Sequence, residues 1–189
     1  MGAQDSKLFV ISGPSGAGKG TLVTRVRELR SNLGLTVSAT TRAPRKGEVD
    51  GVNYFFLTRE EFDRRVANGE FVEWAEVHGN CYGTLVSEVT SNLASGASLI
   101  LEIDVQGALQ VKERFPEAVL IFIKPPSLEV LRERLVGRGT ETPETIELRM
   151  ANAAHELALA DRYDDVVVND DLDRATDELV RVLDMHERI

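Results

Sequence analysis

Residues 8–21 read LFVISGPSGAGKGT and decide the fold of this chain. The apolar run 8–11 predicts a buried β-strand, and residues 21–32 predict a helix that Gly34 stops. The glycines between them let successive backbone N–H groups point inward at a phosphate, and the helix N-terminus adds partial positive charge. The segment therefore predicts a P-loop for ATP or GTP. Its expected nucleotide-binding residues are Gly13, Pro14, Ser15, Gly16, Ala17, Gly18, Lys19, Gly20 and Thr21.

The position after the P-loop lysine departs from the usual motif. Lys19 is expected to reach the β and γ phosphate oxygens, and a Ser or Thr normally follows it to hold magnesium. Here Gly20 follows, and Thr21 supplies a hydroxyl one residue later. A glycine-rich turn without a ligand is the alternative, but the predicted strand and helix on either side favour the P-loop.

The rest of the chain alternates short apolar runs with amphipathic stretches. This pattern predicts an α/β fold in which a five-stranded parallel core sheet is covered by helices on both faces. The further strands are predicted at residues 35–39, 98–103, 118–123 and 165–168, and further helices at 107–115, from the cap Ser127 to about 135, and at 172–186.

Two stretches interrupt the alternation. Between residues 42 and 82 the sequence predicts a small mixed α/β insertion, with strands at 54–57 and 71–77 and a helix that begins at the capping box Thr58-x-x-Glu61. On the second strand, Glu73 is expected to share a face with Phe71. The second stretch, residues 137–142, places Arg138 between two glycines, ahead of a helix with Thr142 as cap and Pro143 at its first position. It predicts a movable helical lid.

The composition, and the lack of a Gly/Ser-rich or Pro-rich linker in the sequence, indicate one domain over residues 1–189. We expect a core of about 1–37, 87–126 and 161–189, an insertion of about 38–86 and a lid of about 127–160. No apolar run approaches the ~18 residues that a membrane span needs, and no secretory signal begins the chain. Cys81 is the single cysteine, which excludes an internal disulfide. The sequence therefore predicts a cytoplasmic protein.

The charge distribution predicts an anion site near the N-terminus. The formal net charge of −9 argues against nucleic-acid binding. Residues 1–50 nevertheless hold eight Lys or Arg against four Asp or Glu. This N-terminal part of the chain is therefore expected to bind an isolated anionic group.

Three side chains of the insertion suggest a second substrate. Arg42 and Arg45 lie in a loop stiffened by proline, and guanidinium forks suit a terminal phosphate, although a pair of solvated surface arginines is the alternative. Glu73 is a carboxylate among apolar residues. One carboxylate can accept both N1–H and the 2-amino group of guanine, whereas adenine offers no such pair of donors. An edge-strand glutamate that faces water is the alternative for Glu73.

Taken together, these segments closely resemble the guanylate kinase family over essentially the whole chain. The resemblance rests on residues 13–21, 38–54, 72–75, 79–84, 102–107, 137–140 and 168–172, with Arg134. It implies a P-loop kinase that transfers the γ-phosphoryl group of ATP to GMP, and to dGMP, with Mg²⁺ as cofactor. It implies a GMP-binding set of Ser38, Arg42, Arg45, Glu48, Tyr54, Glu73, Tyr82, Thr84 and Asp104. It adds Arg134 and Asn169 to the ATP site and names Lys19, Arg42, Arg138 and Arg149 as catalytic.

Within that resemblance, individual roles differ. Glu73, Ser38 and Thr84 would read the guanine, and Glu48 would orient an arginine. Asp104 would lie near magnesium and GMP, and Asn169 against adenine. The metal would be held mainly by phosphates and water, with Thr21 and Asp104 as candidates for direct contact.

The residues leave two rival functions. One is a kinase for another phosphorylated acceptor, although a sugar phosphate would need no guanine reader. The other is a binding module for phosphorylated protein segments, similar to the guanylate kinase-like domains of membrane scaffolds, which typically lose the phosphate loop. His78, His155 and His186 share no metal-ligand spacing and are interpreted as structural or exposed, and Cys81 has no assigned role. Oligomeric state is left open.

Overall fold

The computed structural model describes residues 6–77, 79–137, 139 and 142–188. The strands are β1 Leu8–Ser12, β2 Gly34–Leu35, β3 Ala39–Thr40, β4 Phe55–Phe56, β5 Phe71–Val77, β6 Asn80–Leu85, β7 Leu99–Glu102, β8 Val119–Lys124 and β9 Asp165–Val168. The helices are α1 Lys19–Leu29, α2 Arg59–Ala67, α3 Val86–Ala94, α4 Val105–Arg114, α5 Leu128–Gly137, α6 Pro143–Leu157 and α7 Leu172–Glu187. A 3₁₀ turn, Ala160–Arg162, precedes β9.

The first sheet is parallel and has the order β2-β7-β1-β8-β9. Alternate residues of β1 face opposite layers, because successive side chains of a strand point to opposite sides. Phe9 and Ile11 pack against α1 and α7, whereas Leu8 and Val10 pack against α3 and α4. This arrangement confirms the predicted α/β fold with a five-stranded parallel sheet. It also places the loop after β1 at the carboxyl edge of the sheet, where α/β proteins bind ligands.

The single strand expected at residues 35–39 is wrong. Leu35 pairs with Ile100 in the first sheet, but Ala39 pairs with Gly83 in a second sheet. Residues 36–38 cross between the sheets, and the N–H of Val37 donates to Oε1 of Glu88 at 3.2 Å. Apolar patterning marks the extended backbone but cannot tell which distant strand supplies its partner.

The second sheet is mixed and has the order β4-β3-β6-β5. β3 runs parallel to β4, while β6 is antiparallel to both β3 and β5. Thr58 caps α2 by accepting a hydrogen bond from the N–H of Glu61 at 3.1 Å. The helix packs on the sheet around a small separate core of Ala39, Phe62, Phe71, Cys81 and Leu85. The mixed α/β insertion is therefore confirmed.

A β-bulge in β5 overturns one expectation about its faces. Phe71 pairs with Leu85 and Glu73 with Thr84, so β5 carries one extra residue in this interval. The rings of Phe71 and Trp74 both contact Phe62, with centroid distances of 4.3 and 6.2 Å. Phe71 therefore shares a face with Trp74, not with Glu73, because the bulge shifts the alternation by one position.

The helices α5 and α6 pack through Leu131, Leu135 and Ala153. Thr142 caps α6 by accepting from the N–H of Thr145 at 3.3 Å, with proline at the first helical position, as predicted. Arg138 and His78 lie outside the described residues. Within the described part of the chain, no helix is long and apolar enough to cross a membrane.

Candidate active site

The loop between β1 and α1 has a shape that requires glycine. Gly13 and Gly18 have φ of 143° and 90°, in the region that disfavours residues with a Cβ. A Cβ on Gly13 would lie 2.2 Å from the carbonyl oxygen of Ile123, and one on Gly18 would lie 2.4 Å from Nδ2 of Asn169. Gly18 provides no side-chain cap for the N-terminus of α1, and the first N–H groups of a helix have no partner within the helix. This geometry suits a phosphate group.

The side chain of Lys19 folds back over the mouth of this loop. Its Nζ donates to the carbonyl oxygens of Gly13 at 2.5 Å and Pro14 at 3.1 Å. The ammonium group therefore lies inside the curved loop, within reach of an anion that binds in the loop.

Asn169 and Arg134 brace the same loop from the side of β9 and α5. Nδ2 of the buried Asn169 donates to the carbonyl oxygen of Ala17 at 2.8 Å, and Nη2 of Arg134 donates to the carbonyl oxygen of Asn169 at 2.8 Å. Both residues line a cavity of about 510 Å³ together with Thr21 and Asp170. The structure thus brings Thr21, Arg134 and Asn169 together, and it gives the amide of Asn169 a partner in the loop itself.

Glu102, which the sequence analysis did not assign to the site, lies at the end of β7 beside the P-loop helix. Its Oε1 is 3.6 Å from a methyl group built on Gly20. Desolvation by the surrounding protein raises the pKa of this carboxyl group, and the charge of Lys19 opposes the rise. The sequence signal that could have identified Glu102 is its position directly after the apolar residues 99–101, at the predicted carboxyl edge of the sheet.

In the second sheet, Arg42 is held in a defined orientation. Its Nη2 donates to both carboxylate oxygens of Glu48, at 2.8 and 3.0 Å, and its Nη1 donates to the carbonyl oxygen of Ala43 at 2.7 Å. The guanidinium carbon lies 5.4 Å from the ring centroid of Tyr54. Glu48 also accepts from the N–H of Arg45 at 2.7 Å. The hydrogen bonds from Arg42 and Arg45 lower the pKa of Glu48, which keeps this carboxylate charged.

Tyr82 completes this cluster. The rings of Tyr54 and Tyr82 meet edge to face at 6.2 Å, and Tyr82 interacts with the guanidinium of Arg42. Arg42, Glu48, Tyr54 and Tyr82 are thus brought together. The side chain of Arg45 is exposed, and only its backbone N–H joins the cluster.

Glu73 is a buried carboxylate on the same sheet, with 8% of its surface exposed. Its Oε1 accepts from the hydroxyl of Thr84 at 2.8 Å. Burial raises the pKa of Glu73 to about 7, against the lowering effect of the Thr84 hydrogen bond. Ser38 lies in the crossing segment before β3, where its carbonyl oxygen accepts from the N–H of Phe55 at 2.9 Å.

The end of β5, the start of α4 and the C-terminal part of α6 line a cleft of about 600 Å³, and Asp104 and Glu156 are among its lining residues. Oδ1 of Asp104 caps α4 by accepting from the N–H of Gly107 at 2.8 Å. Glu156 was missed in the sequence because nothing in the pattern of α6 separates it from the other surface acids. Burial raises the pKa of Glu156. His155 is exposed at the same cleft, and Nε2 of His186 pairs with Asp165 at 2.6 Å, away from it.

The lid reaches the P-loop through Arg149. Its Nη1 donates to Oγ of Ser15 at 2.5 Å. Helix α6 therefore places a guanidinium group at the phosphate-binding loop.

Comparisons with known proteins agree with this geometry. The guanylate kinase family model matches residues 5–186. The guanylate kinase of Halalkalibacterium halodurans is 52% identical over 183 residues, which cover 97% of this chain and 90% of that protein. The guanylate kinase of Gloeobacter violaceus is 56% identical over 178 residues, which cover 94% and 87% respectively. The crystal structure of guanylate kinase from Anaplasma phagocytophilum superposes with a TM-score of 0.75 at 38% identity and covers 97% of this chain and 87% of that one. By sequence and by fold, the chain belongs to the guanylate kinase family.

Proposed function

We propose that this chain transfers the γ-phosphoryl group of ATP, bound at the P-loop, to GMP or dGMP, bound at the second sheet, giving ADP and GDP or dGDP. The observation that carries the proposal is Glu73. A buried carboxylate held by Thr84, in a fold that also carries a P-loop, is the acceptor that guanine requires.

Base recognition follows from the donor pattern of guanine. The ionised Glu73 carboxylate can accept N1–H and the 2-amino hydrogen, with the Thr84 hydroxyl keeping the carboxylate in place. Adenine would present an acceptor to the same group. A site with a mismatched buried hydrogen bond rejects its ligand strongly, so AMP should be a poor substrate.

The cluster around Arg42 would bind the phosphate of GMP. The carboxylate of Glu48 and the ring of Tyr54 orient the guanidinium, and Tyr82 adds a hydroxyl beside it. Arg45, which is exposed, would swing onto the same phosphate. A guanidinium that is already oriented loses less conformational freedom on binding than a free one.

Phosphoryl transfer would need no general base, because the attacking phosphate of GMP is already anionic. The reaction requires in-line placement and positive charge around the transferred group. Lys19 at the P-loop and Arg149 at Ser15 supply that charge from the described residues. From the sequence, Arg138 would add a third cation from the lid.

The residues present fit a magnesium ion held mainly by nucleotide phosphates. Mg²⁺ is typically bound by one or two carboxylates with phosphates and water, and Glu102 offers one carboxylate beside Gly20 and Lys19. Across the described stretches, no group of three or more His, Cys, Asp or Glu side chains could hold a metal by itself. When bound, the ion would neutralise charge on the phosphate oxygens. Thr21 faces the cavity beside Arg134, and Oδ1 of Asp104 caps α4. Of these three side chains, Glu102 is therefore the best placed to contact magnesium directly.

The test is a coupled assay of ADP release from ATP with GMP, dGMP, AMP, CMP, UMP and ribose 5-phosphate. We expect turnover with GMP and dGMP and a large preference over the other acceptors. Glu73→Gln should abolish most of the GMP preference while leaving the KM for ATP unchanged. Glu60→Gln is the matched control, because Glu60 is an exposed carboxylate on α2 of the same insertion.

Two outcomes would overturn the proposal. ADP release that is equal for GMP and ribose 5-phosphate would indicate another phosphorylated acceptor. The lack of ADP release with every acceptor would favour a binding module.

A further inference from the structure

We propose that Gly107 is a positioning residue for base recognition, because the space left by its missing side chain holds the carboxylate of Glu73. This inference rests on the proposed function, in which Glu73 reads guanine. It assigns to α4 a part in specificity beyond its place in the core.

The geometry around Glu73 leaves the carboxylate little freedom. A methyl group built on Gly107 lies 3.3 Å from Oε2 of Glu73 and 3.3 Å from Cδ1 of Ile103. The other carboxylate oxygen accepts from the hydroxyl of Thr84 at 2.8 Å. Glu73 is therefore enclosed between Thr84 on one side and the first turn of α4 on the other.

Helix α4 is not free to move away from an added methyl group. Its first turn is held by the buried side chains of Val105 and Ala108, which pack in the core against the first sheet. At its other end, Nη1 of Arg114 donates to the carbonyl oxygen of Phe71 at 2.6 Å, at the start of the strand that carries Glu73. Because both ends of α4 are anchored, the end of the flexible Glu73 side chain is the part that yields. A carboxylate that is displaced by a few tenths of an ångström is misaligned with both guanine donors.

The backbone gives no other reason for glycine at this position. Gly107 lies in the helical first turn and is not among the residues with positive φ. A helix-interior glycine lowers stability by up to ~1 kcal/mol relative to alanine. The missing side chain, not an unusual backbone conformation, is what this position requires.

The experiment is a double-mutant cycle of Gly107→Ala and Glu73→Gln, measured as the KM and kcat for GMP, the KM for ATP and the melting temperature. We expect Gly107→Ala to raise the KM for GMP about tenfold or more, as expected for a misaligned hydrogen-bonding group, with the KM for ATP unchanged. The melting temperature should stay equal or rise. In the Glu73→Gln background the same substitution should change the KM for GMP less than about twofold, because coupled residues are not additive.

Two further variants separate Glu73 from its neighbours. Ile103→Val removes the Cδ1 atom that also meets the new methyl group, so Ile103→Val with Gly107→Ala should fold normally and still show the raised KM for GMP. Gln110→Ala, at an exposed position of the same helix, controls for changes in helix stability and should leave the KM for GMP unchanged.

The outcomes distinguish this inference from the function on which it rests. If Glu73→Gln destroys GMP preference but Gly107→Ala leaves the KM for GMP unchanged, or acts equally in both backgrounds, the role of Gly107 is overturned and the function stands. Full rescue by Ile103→Val would also overturn it, since Ile103 would then be the residue disturbed. If Glu73→Gln leaves GMP preference intact, both the base-reading assignment and this inference fail.

Discussion

At the scale of single residues, the protonation of Glu73 links GMP binding to pH. Guanine presents two adjacent hydrogen-bond donors, and only the ionised carboxylate can accept both of them. Burial raises the pKa of Glu73 to about 7 in the free protein, and the protonated form is therefore favoured below that value. We expect kcat/KM for GMP to fall about tenfold per pH unit below pH 7.

Steady-state kinetics from pH 5.5 to 8.5 provide the measurement. Glu73→Gln should lose this inflection and retain only the titration of GMP and of other groups. The KM for ATP, measured at saturating GMP, should not follow the profile. An inflection that persists in Glu73→Gln would assign the titration to another group.

A second residue-scale prediction concerns the brace behind the P-loop. Asn169→Asp keeps the shape of the side chain but places a carboxylate oxygen where Nδ2 now donates to the carbonyl oxygen of Ala17. Two acceptors would then face each other in a buried site, which costs about 1–3 kcal/mol. We expect a lower melting temperature and a raised KM for ATP.

Asn169→Ala distinguishes the loss of the hydrogen bond to Ala17 from the effect of the charge that Asn169→Asp adds. It removes the donor without adding an anion, so its effects should be smaller than those of Asn169→Asp and in the same direction. An Asn169→Asp variant with unchanged stability and KM for ATP would show that the hydrogen bond to Ala17 does not shape the loop.

At the scale of elements, helix α6 of the lid places Arg149 at the P-loop. Arg149 reaches Ser15 from α6, whereas Arg132 of α5 pairs with Glu147 at the exposed outer side of the lid. An arginine that stabilises the transferred phosphoryl group can be worth on the order of 10³ in turnover. Arg149→Ala should therefore lower kcat steeply, with calorimetric Kd values for ATP and GMP changed far less.

Arg132→Ala is the matched control, because exposed ion pairs contribute little. It should leave kcat within about twofold. Arg149→Lys should recover part of the rate, since an ammonium keeps the charge but not the forked contact. Equal kcat values for Arg149→Ala and Arg132→Ala would leave Arg149 without a catalytic role. The same assay on Arg138→Ala tests the corresponding prediction from the sequence.

At the scale of the whole molecule, α4 fastens the second sheet to the core. The guanidinium of Arg114 donates to the carbonyl oxygens of Gly69 and Phe71 in the insertion. Lys112, on the same helix, bonds instead to Ala118 and Asp164 within the core. Arg114→Met should loosen the second sheet and raise the KM for GMP several-fold, with the KM for ATP nearly unchanged.

Amide hydrogen exchange measures this directly. Arg114→Met should speed exchange in β5 and β6 while β1 and β8 keep their protection. Lys112→Met, the control, should not change exchange in β5. Uniform acceleration in both sheets would indicate a general loss of stability and not a local clamp.

The sequence alone predicted the parallel sheet and the P-loop, because both rest on local signals. Apolar runs mark buried strands, and the glycine spacing of residues 13–18 marks a loop that residues with a Cβ cannot form. The cap residues Thr58 and Thr142 were also readable, since a cap bonds within three residues along the chain. The assignments of GMP-site residues came from the family resemblance, and a cytoplasmic location and the lack of nucleic-acid binding remain predictions.

Only the tertiary structure decided the details that depend on distant partners. The division of residues 35–39 between two sheets follows from pairing with Ile100 and Gly83, more than forty residues away. The bulge that turns Glu73 away from Phe71 appears only when β5 meets β6. Glu102 beside Gly20, and Gly107 against Glu73, are juxtapositions across the fold. The physical reason is common to all of them: a residue's own pattern fixes its local conformation, whereas its neighbours in space are fixed by packing of the whole chain.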